Sequence, residues 1–130
     1  MKVTRVNPHS MATPTGFSHA VVAEGKFVFL AGQTALNKEN QIVGVNVVDQ
    51  FEQVLNNLLK ALVAAGGSAD NLVKLTIFAV DPQDYRANSR EIGKIWRDLI
   101  GSAYPAMTLV GVTRLWDDGA LLEIEGIAVL

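Results

Sequence analysis

The sequence predicts an α+β domain, a six-stranded mixed sheet with two helices packed on one face. Six short apolar segments have the length and turn signals of strands, and two longer segments repeat their apolar residues at helical spacing. They follow one another in the order β-β-β-α-β-α-β-β. Strand–helix–strand connections are right-handed, so both helices belong on the same face of the sheet. At 130 residues, the chain is expected to form a single domain, residues 1–130.

The composition excludes several classes of function. The chain is 49% hydrophobic and 18% charged, which is not the balance of a disordered protein. No run of eighteen apolar residues and no signal-peptide pattern occurs, so a cytoplasmic protein without membrane association is expected. The net charge of −2, without a Lys/Arg cluster, gives no expectation of nucleic-acid binding. There are no cysteines, no Gly-rich phosphate loop and only two histidines, so neither a metal nor a cofactor is expected.

The N-terminal half contains three strands and the first helix. Strands are predicted at residues 2–6, 19–23 and 27–31, and the spacing around Glu24-Gly25-Lys26 indicates a hairpin between the last two. The first helix is predicted over 47–65, with Asn46 as its N-cap and Gly66-Gly67 as its stop signal.

The second half contains a strand, a helix and two final strands. The strand is predicted at 72–80, and Asp81-Pro82 then opens a helix that continues to Leu99. Asn88 is the polar member of this helix's apolar stripe; it either reaches a ligand cleft or satisfies buried backbone groups. The final strands are predicted at 107–113 and 121–129.

Alternation along the last strand places two acids on one face. Leu122, Ile124 and Ala128 point to one side, whereas Glu123 and Glu125 point to the other. Residues 72–80 and 107–113 carry apolar side chains on both faces, yet two helices cover only one face. The uncovered apolar face predicts a homo-oligomer, with a site where subunits meet.

Ordered motifs along nearly the whole chain resemble the Rid family, also called YjgF or L-PSP. They are Gly16-Phe17-Ser18-His19-Ala20, Phe29-Leu30-Ala31-Gly32-Gln33, Gln50 and Asn57, Ala64-Ala65-Gly66, Asp84-Tyr85 with Asn88, Pro105-Ala106, and Glu123-Ile124-Glu125-Gly126-Ile127-Ala128. The resemblance implies a chorismate-mutase-like subunit and a homotrimer with three intersubunit clefts. It also implies hydrolysis of 2-imino and 2-enamino acids to 2-oxo acids and ammonia, without metal or cofactor.

The resemblance assigns roles to particular residues. Glu123 matches the family glutamate that handles the attacking water, whereas Met107 stands where an arginine grips the substrate carboxylate. Phe17 replaces a tyrosine, Ala31 a serine and Trp116 a proline. The expected site comprises Glu123 as the catalytic residue and Phe17, Ala31, Gly32, Asn88, Met107, Thr108 and Trp116 as substrate-binding residues. Arg5, Arg86, Arg90 or Arg114 is left open as a substitute for the missing arginine.

Three functions remain open at this stage. The first is a homotrimer that binds a small organic metabolite and hydrolyses an imine or enamine with Glu123 as acid and base, with standard 2-imino acid activity doubtful because of Met107. The second is a non-catalytic trimer that binds a metabolite or a protein, with Glu123 paired to a neighbouring cation and Met107 as interface packing. The third, an endoribonuclease, lacks a histidine pair and a basic surface.

Overall fold

The computed structural model describes residues 3–130 and contains the predicted elements in the predicted order. The strands are β1 (Val3–Val6), β2 (Ala20–Ala23), β3 (Phe27–Gln33), β4 (Leu72–Ala79), β5 (Ala106–Gly111) and β6 (Leu122–Val129). The helices are α1 (Val47–Ala64), α2 (Pro82–Ala87) and α3 (Ser89–Leu99), with one 3₁₀ turn at Ala69–Asn71. The α+β class is therefore confirmed. Residue 2 of the first predicted strand lies outside the described residues.

The prediction of a single six-stranded sheet is wrong, because the strands divide between two sheets. Four of them form a mixed sheet in the order β3-β6-β4-β5, in which β4 and β5 run parallel and β6 runs antiparallel to both of its neighbours. Strands β1 and β2 form a separate antiparallel pair. A single bridge joins Ser18, just before β2, to Ala106 at the start of β5. The small sheet is thus attached to the β5 edge of the large one.

The predicted hairpin between β2 and β3 is wrong. The Lys26 amide donates to the Leu130 carbonyl at 3.0 Å and the Leu130 amide donates back at 2.8 Å, so the chain joins β6 from Lys26 onward. Gly25 has φ 141°, and a Cβ at this position would collide with the Leu130 carbonyl oxygen. The segment around Gly25 is therefore a crossing from one sheet to the other, which only glycine allows.

The helix ends follow the predicted signals, with one interruption. The Asn46 side chain accepts a hydrogen bond from the Asp49 amide at 2.9 Å, and the Asp81 side chain caps α2 in the same way. Gly66, at φ 95°, ends α1. The second predicted helix is divided at Asn88 into α2 and α3, and the Asn88 side chain donates to the Asp84 carbonyl at 2.9 Å.

Alternation along the strands gives the large sheet an inner face and an outer face. The inner face, which includes Leu75, Ile77, Leu122 and Ile124, packs in one cluster with α1 and α3. Both helices therefore cover the same face, as predicted. The outer face carries Phe27, Phe29, Phe78, Val110 and Ile127 among polar residues. Among the described residues, none of the helices combines the length and apolar character needed to cross a bilayer.

Candidate functional site

Glu123 lies on the outer face of β6, directly beside the backbone of Gly32. A Cβ on Gly32 would lie 2.9 Å from the carboxyl carbon of Glu123 and 3.0 Å from its Oε2. Gly32 belongs to the stretch of β3 where the pairing with β6 shifts, between Leu30 and Gln33. The carboxyl group thus occupies the space that a side chain at position 32 would fill, and the structure brings these two predicted site residues together.

The surroundings of Glu123 make it a weaker acid than a free glutamate. Burial raises the pKa of the Glu123 carboxyl first, and the negative charges of Asp117 and Glu125 raise it further. Among residues 3–130, the one ion pair joins Arg114 to Asp118, so no cation of the described chain offsets this charge. A raised pKa makes the Glu123 carboxylate a stronger base than that of a free glutamate, which suits a general acid or base.

The loop between β5 and β6 supplies the second acid of this site. The Asp117 carboxylate accepts a 2.5 Å hydrogen bond from the hydroxyl of Thr34, a buried residue that follows β3. The neighbouring Trp116 is 91% exposed. Sequence reasoning included Trp116 but missed Asp117, because the Thr34 bond spans 83 positions and leaves no local pattern.

Two amide side chains of α1 fix the loops around the acids. The Gln50 amide donates to the carbonyls of Gly44 and Gly119, and its oxygen accepts from the Leu121 amide at 2.8 Å. Two turns further on, the Asn57 amide donates to the carbonyls of Thr34 and Leu36 at 3.1 and 2.8 Å. The Gln50 bonds fix the loop that contains Asp117, and the Asn57 bonds fix the segment that contains Thr34. The sequence marked Gln50 and Asn57 as motif residues without revealing this role.

Met107 lies on the opposite face of the sheet from Glu123. It pairs in register with the buried Leu75 and packs against the core, whereas Glu123 pairs with Phe78 on the outer face. Met107 borders a cavity of about 380 Å³ between β5, α3 and the loop at Thr15-Gly16. We call it the helix-side cavity; its other walls are Phe51, Tyr85, Ser89, Arg90, Ile92, Gly93, Trp96, Arg97 and Tyr104. Within one protomer, therefore, Met107 and Glu123 do not meet.

The other predicted binding residues divide between these two places. Ala31 is exposed next to Gly32, and Thr108 is exposed on the outer face, where its hydroxyl accepts from the Lys74 ammonium at 3.1 Å. Phe17 lies near the start of β5, because the amide of the following Ser18 donates to the Pro105 carbonyl at 2.9 Å.

Asn88 serves the backbone in this protomer. Its amide donates to the main-chain carbonyl of Asp84 at 2.9 Å and to the Asp84 side chain at 3.2 Å.

The four arginines considered as substitutes have different surroundings. Arg5 donates to the carbonyls of Tyr104 and Asp70, and Arg114 pairs with Asp118 at 3.4 Å. Arg86 is exposed on α2. Arg90 alone of the four borders the helix-side cavity with Met107. Sequence reasoning missed a fifth, Arg97, although its spacing of seven from Arg90 places both on one helix face.

No group of three or more His, Asp or Glu side chains within residues 3–130 is arranged to hold a metal ion.

Comparisons with known proteins agree with this architecture. A sequence model of the family Endoribonuclease L-PSP matches residues 7–130. The RutC family protein PH0854 of Pyrococcus horikoshii is 34% identical over 116 residues, which cover 88% of each chain. A 2-iminobutanoate/2-iminopropanoate deaminase of Dermatophagoides farinae is 30% identical over 118 residues, 90% of this chain and 88% of that protein.

Solved structures extend the likeness to three dimensions. YyfB of Yersinia pestis, described as a protein of unknown function of the conserved Rid protein family, superimposes with a TM-score of 0.89 at 34% identity and full coverage of both chains. TdcF of Escherichia coli with bound serine gives a TM-score of 0.71 at 33% identity, covering 91% of each chain. The chain therefore belongs to the Rid family, also known as YjgF or endoribonuclease L-PSP.

Proposed function

We propose that this protein is a homotrimer whose intersubunit clefts bind a small organic metabolite and hydrolyse an imine or enamine to a carbonyl compound and ammonia. Glu123 acts as the acid and base, and no cofactor takes part. The single observation that carries this proposal is the Glu123 carboxyl, held against the Gly32 backbone with a raised pKa. The deaminase from Dermatophagoides farinae and the serine-bound TdcF support a small-molecule reaction of this class.

The reaction requires little from the protein beyond position and proton transfer. The Glu123 carboxylate takes a proton from water while the water oxygen bonds to the C=N carbon. The protonated carboxyl returns this proton to the nitrogen, which gives a carbinolamine. The carboxylate then transfers the hydroxyl proton of the carbinolamine to the nitrogen, the C–N bond breaks, and the products are a carbonyl compound and ammonia. A raised pKa suits both steps, because the group must gain and lose a proton near the working pH. The absence of a side chain at Gly32 leaves room for the Glu123 carboxyl beside the backbone.

The positions of Met107 and Glu123 support a site shared between subunits. They lie on opposite faces of one sheet, so a ligand that touches both needs one subunit to supply Met107 and another to supply Glu123. Met107 offers an apolar wall instead of a guanidinium. The preferred substrate is therefore expected to be a neutral or more apolar imine than 2-iminopropanoate.

A non-catalytic trimer is the alternative, and Met107 is the observation that favours it. A metabolite- or protein-binding trimer would keep the clefts but has no need of a residue that grips a substrate carboxylate. Glu123 would then contribute charge complementarity or an ion pair to the bound partner instead of proton transfer.

A coupled assay distinguishes the two functions. An amino acid oxidase releases 2-iminopropanoate or a bulkier apolar imine in the cuvette, and ammonia or trapped imine is followed with wild type, Met107→Arg and Glu123→Gln. We expect wild type to favour the bulkier imine. Met107→Arg should improve turnover of 2-iminopropanoate by about tenfold or more, because a charged clamp contributes at least about 1.4 kcal/mol. Glu123→Gln should remove turnover in both backgrounds.

Glu125→Gln is the matched control, since Glu125 is an exposed acid on the same strand and face. It should retain most of the wild-type activity. Hydrolysis no faster than buffer for every imine, in wild type and Met107→Arg alike, would favour the non-catalytic trimer.

A further inference from the structure

Two acids of the site are anchored at the same end of β3. The Glu123 carboxyl lies against the Gly32 backbone, and the Asp117 carboxylate accepts the 2.5 Å hydrogen bond from the Thr34 hydroxyl. Gly32 and Thr34 are two positions apart, which is about 7 Å in an extended chain. One short segment therefore holds both carboxyl groups in the same part of the molecule, although one comes from a strand and the other from a loop.

The anchor of Asp117 is itself fixed by the helix α1. Thr34 is 3% exposed, and its carbonyl accepts a hydrogen bond from the Asn57 side chain at 3.1 Å. On the loop side, the Gln50 side chain donates to the Gly119 carbonyl at 3.0 Å, two residues beyond Asp117. An aspartate carries a negative charge at neutral pH. The hydrogen bonds of Thr34 and of the loop thus fix the place of a negative charge.

The groups around Glu123 are apolar or acidic. Gly32 is its neighbour on β3, and Phe78 is its partner in register on β4. Burial, followed by the negative charges of Asp117 and Glu125, raises the pKa of the Glu123 carboxyl. Glu125 is exposed on the same strand, whereas Asp117 is partly buried and anchored by a hydrogen bond.

The charged groups on the neighbouring elements are engaged elsewhere. Lys74 of β4 donates to the Thr108 hydroxyl on β5, on the side of β4 away from β6. Arg114 and Asp118 of the loop pair with each other at 3.4 Å. The anchored carboxylate of Asp117 is therefore the fixed charge that acts on Glu123.

We propose that Asp117 is a positioning residue for Glu123, and that its bond to Thr34 fixes the pH range over which Glu123 gains and loses its proton. An anion held beside a carboxyl favours its protonated form and so makes its carboxylate a stronger base. A stronger base takes the proton of the attacking water more readily. This role in catalysis rests on the proposed hydrolysis, whereas the effect of Asp117 on the proton of Glu123 does not.

Titration of the Glu123 carboxyl by carbon NMR tests the inference without turnover. The full-length protein is labelled with carbon-13 glutamate, and Glu123→Gln identifies the signal. We expect Asp117→Asn to move the titration midpoint to lower pH, because it removes a negative charge. Thr34→Val should move the midpoint in the same direction but less, since Asp117 keeps its charge and loses its anchor. Asp118→Asn is the matched control and should leave the midpoint in place, because the Asp118 side chain is 98% exposed and paired with Arg114.

Two further variants separate positioning from a purely structural role. In the Asp117→Asn background, Thr34→Val should have no additional effect on the midpoint, because the anchor no longer holds a charge. Thr34→Ser, which keeps the hydroxyl, should titrate like wild type. An unmoved midpoint in Asp117→Asn or in Thr34→Val overturns the inference, and so does a Thr34→Val shift of the same size with and without the charge at position 117.

The pH dependence of imine hydrolysis is the second readout. In wild type, kcat/KM should rise with pH through the midpoint of Glu123, and Asp117→Asn should move this rise to lower pH and reduce the plateau. A reduced plateau with an unmoved rise would mean that Asp117 serves the fold alone, which contradicts the inference. Hydrolysis no faster than buffer in every variant, combined with the shifted carbon titration, would refute the proposed hydrolysis while the effect of Asp117 on Glu123 stands.

Discussion

At the scale of single residues, the carboxyl of Glu123 is the group on which the proposed chemistry depends. Burial and two nearby acids raise its pKa, which means that the folded state binds its proton more tightly than the unfolded chain does. Stability therefore falls as pH rises from the unfolded value, about 4.3, through the raised folded value. Below that window the carboxyl is protonated in both states and has no effect.

Glu123→Gln should remove this penalty. We expect its Tm to exceed that of wild type at pH 7.5, and the difference to close below about pH 4. Thermal unfolding followed by circular dichroism across this pH range is the measurement. Glu125→Gln provides the control and should give a smaller, flatter difference. A Glu123→Gln variant that is less stable at neutral pH would instead indicate that Glu123 pairs with a cation of another subunit.

Gly32 controls where that carboxyl lies. Its φ is outside the left-handed region, so alanine is conformationally allowed, but the new Cβ would overlap the end of the Glu123 side chain. Because a flexible side chain can move aside, Gly32→Ala should cost less than about 1 kcal/mol of stability while lowering imine hydrolysis by about tenfold or more. A double-mutant cycle with Glu123→Gln checks the mechanism. Additive effects of the two substitutions would contradict it.

The residue-scale predictions from sequence succeeded where a local pattern existed. Alternation along one strand was enough to place Glu123 opposite Leu122 and Ile124. The contact between Glu123 and Gly32, by comparison, depends on a register shift between β3 and β6, which pairs segments about ninety residues apart. The arginines of the helix-side cavity, Arg90 and Arg97, show the same limit of sequence reasoning. Their helical spacing places them on one face of α3, but it does not reveal that Tyr104, which follows the helix, lines the same cavity.

At the scale of elements, α1 determines the geometry of the loops as well as the core. Gln50 is 2% exposed and satisfies three backbone groups in two separate loops. Gln50→Ala would leave these buried groups without partners, so the free energy of unfolding should fall by about 2–4 kcal/mol. Urea unfolding measures this directly.

Gln53→Ala is the comparison for Gln50→Ala. Gln53 lies one turn along the same helix, and its amide contacts only the Asn57 side chain, at 2.9 Å. Its replacement should cost less than about 1 kcal/mol. Equal losses for the two variants would show that the loop carbonyls find water when Gln50 is absent.

Helix ends were predictable because capping residues act on their immediate neighbours in the sequence. Strand pairing was mispredicted where a strand has more than one possible partner. The caps at Asn46 and Asp81 and the stop at Gly66 are short-range chemistry, and the structure contains all three. The prediction of a β2–β3 hairpin was wrong because β3 pairs along its length with β6, an antiparallel partner. A short turn motif in the sequence does not reveal such a distant partner. The break at Asn88 was missed because its side chain bonds back to Asp84, one turn earlier.

At the scale of the whole molecule, the outer face carries large exposed apolar side chains. Phe27 is 61% exposed and Phe29 is 73% exposed, and the two rings meet edge to face at 6.1 Å. Both belong to the outer face, which also carries Phe78, Val110 and Ile127. Contiguous apolar surface of this kind marks an interface. Since the inner face already holds both helices, further copies of the chain are the partners we expect on the outer face.

Phe29→Asp should therefore shift the protein from trimer toward monomer. An unpaired carboxylate buried at an interface costs several kcal/mol, and about 3 kcal/mol raises the dissociation midpoint by about 100-fold. Analytical ultracentrifugation at micromolar concentration measures the mass of each variant. Val63→Asp is the control, because Val63 is 64% exposed but lies on α1, away from the outer face, and this variant should remain trimeric. A wild-type protein that sediments as a single subunit would refute the trimer, and the paired Met107–Glu123 cleft depends on that trimer.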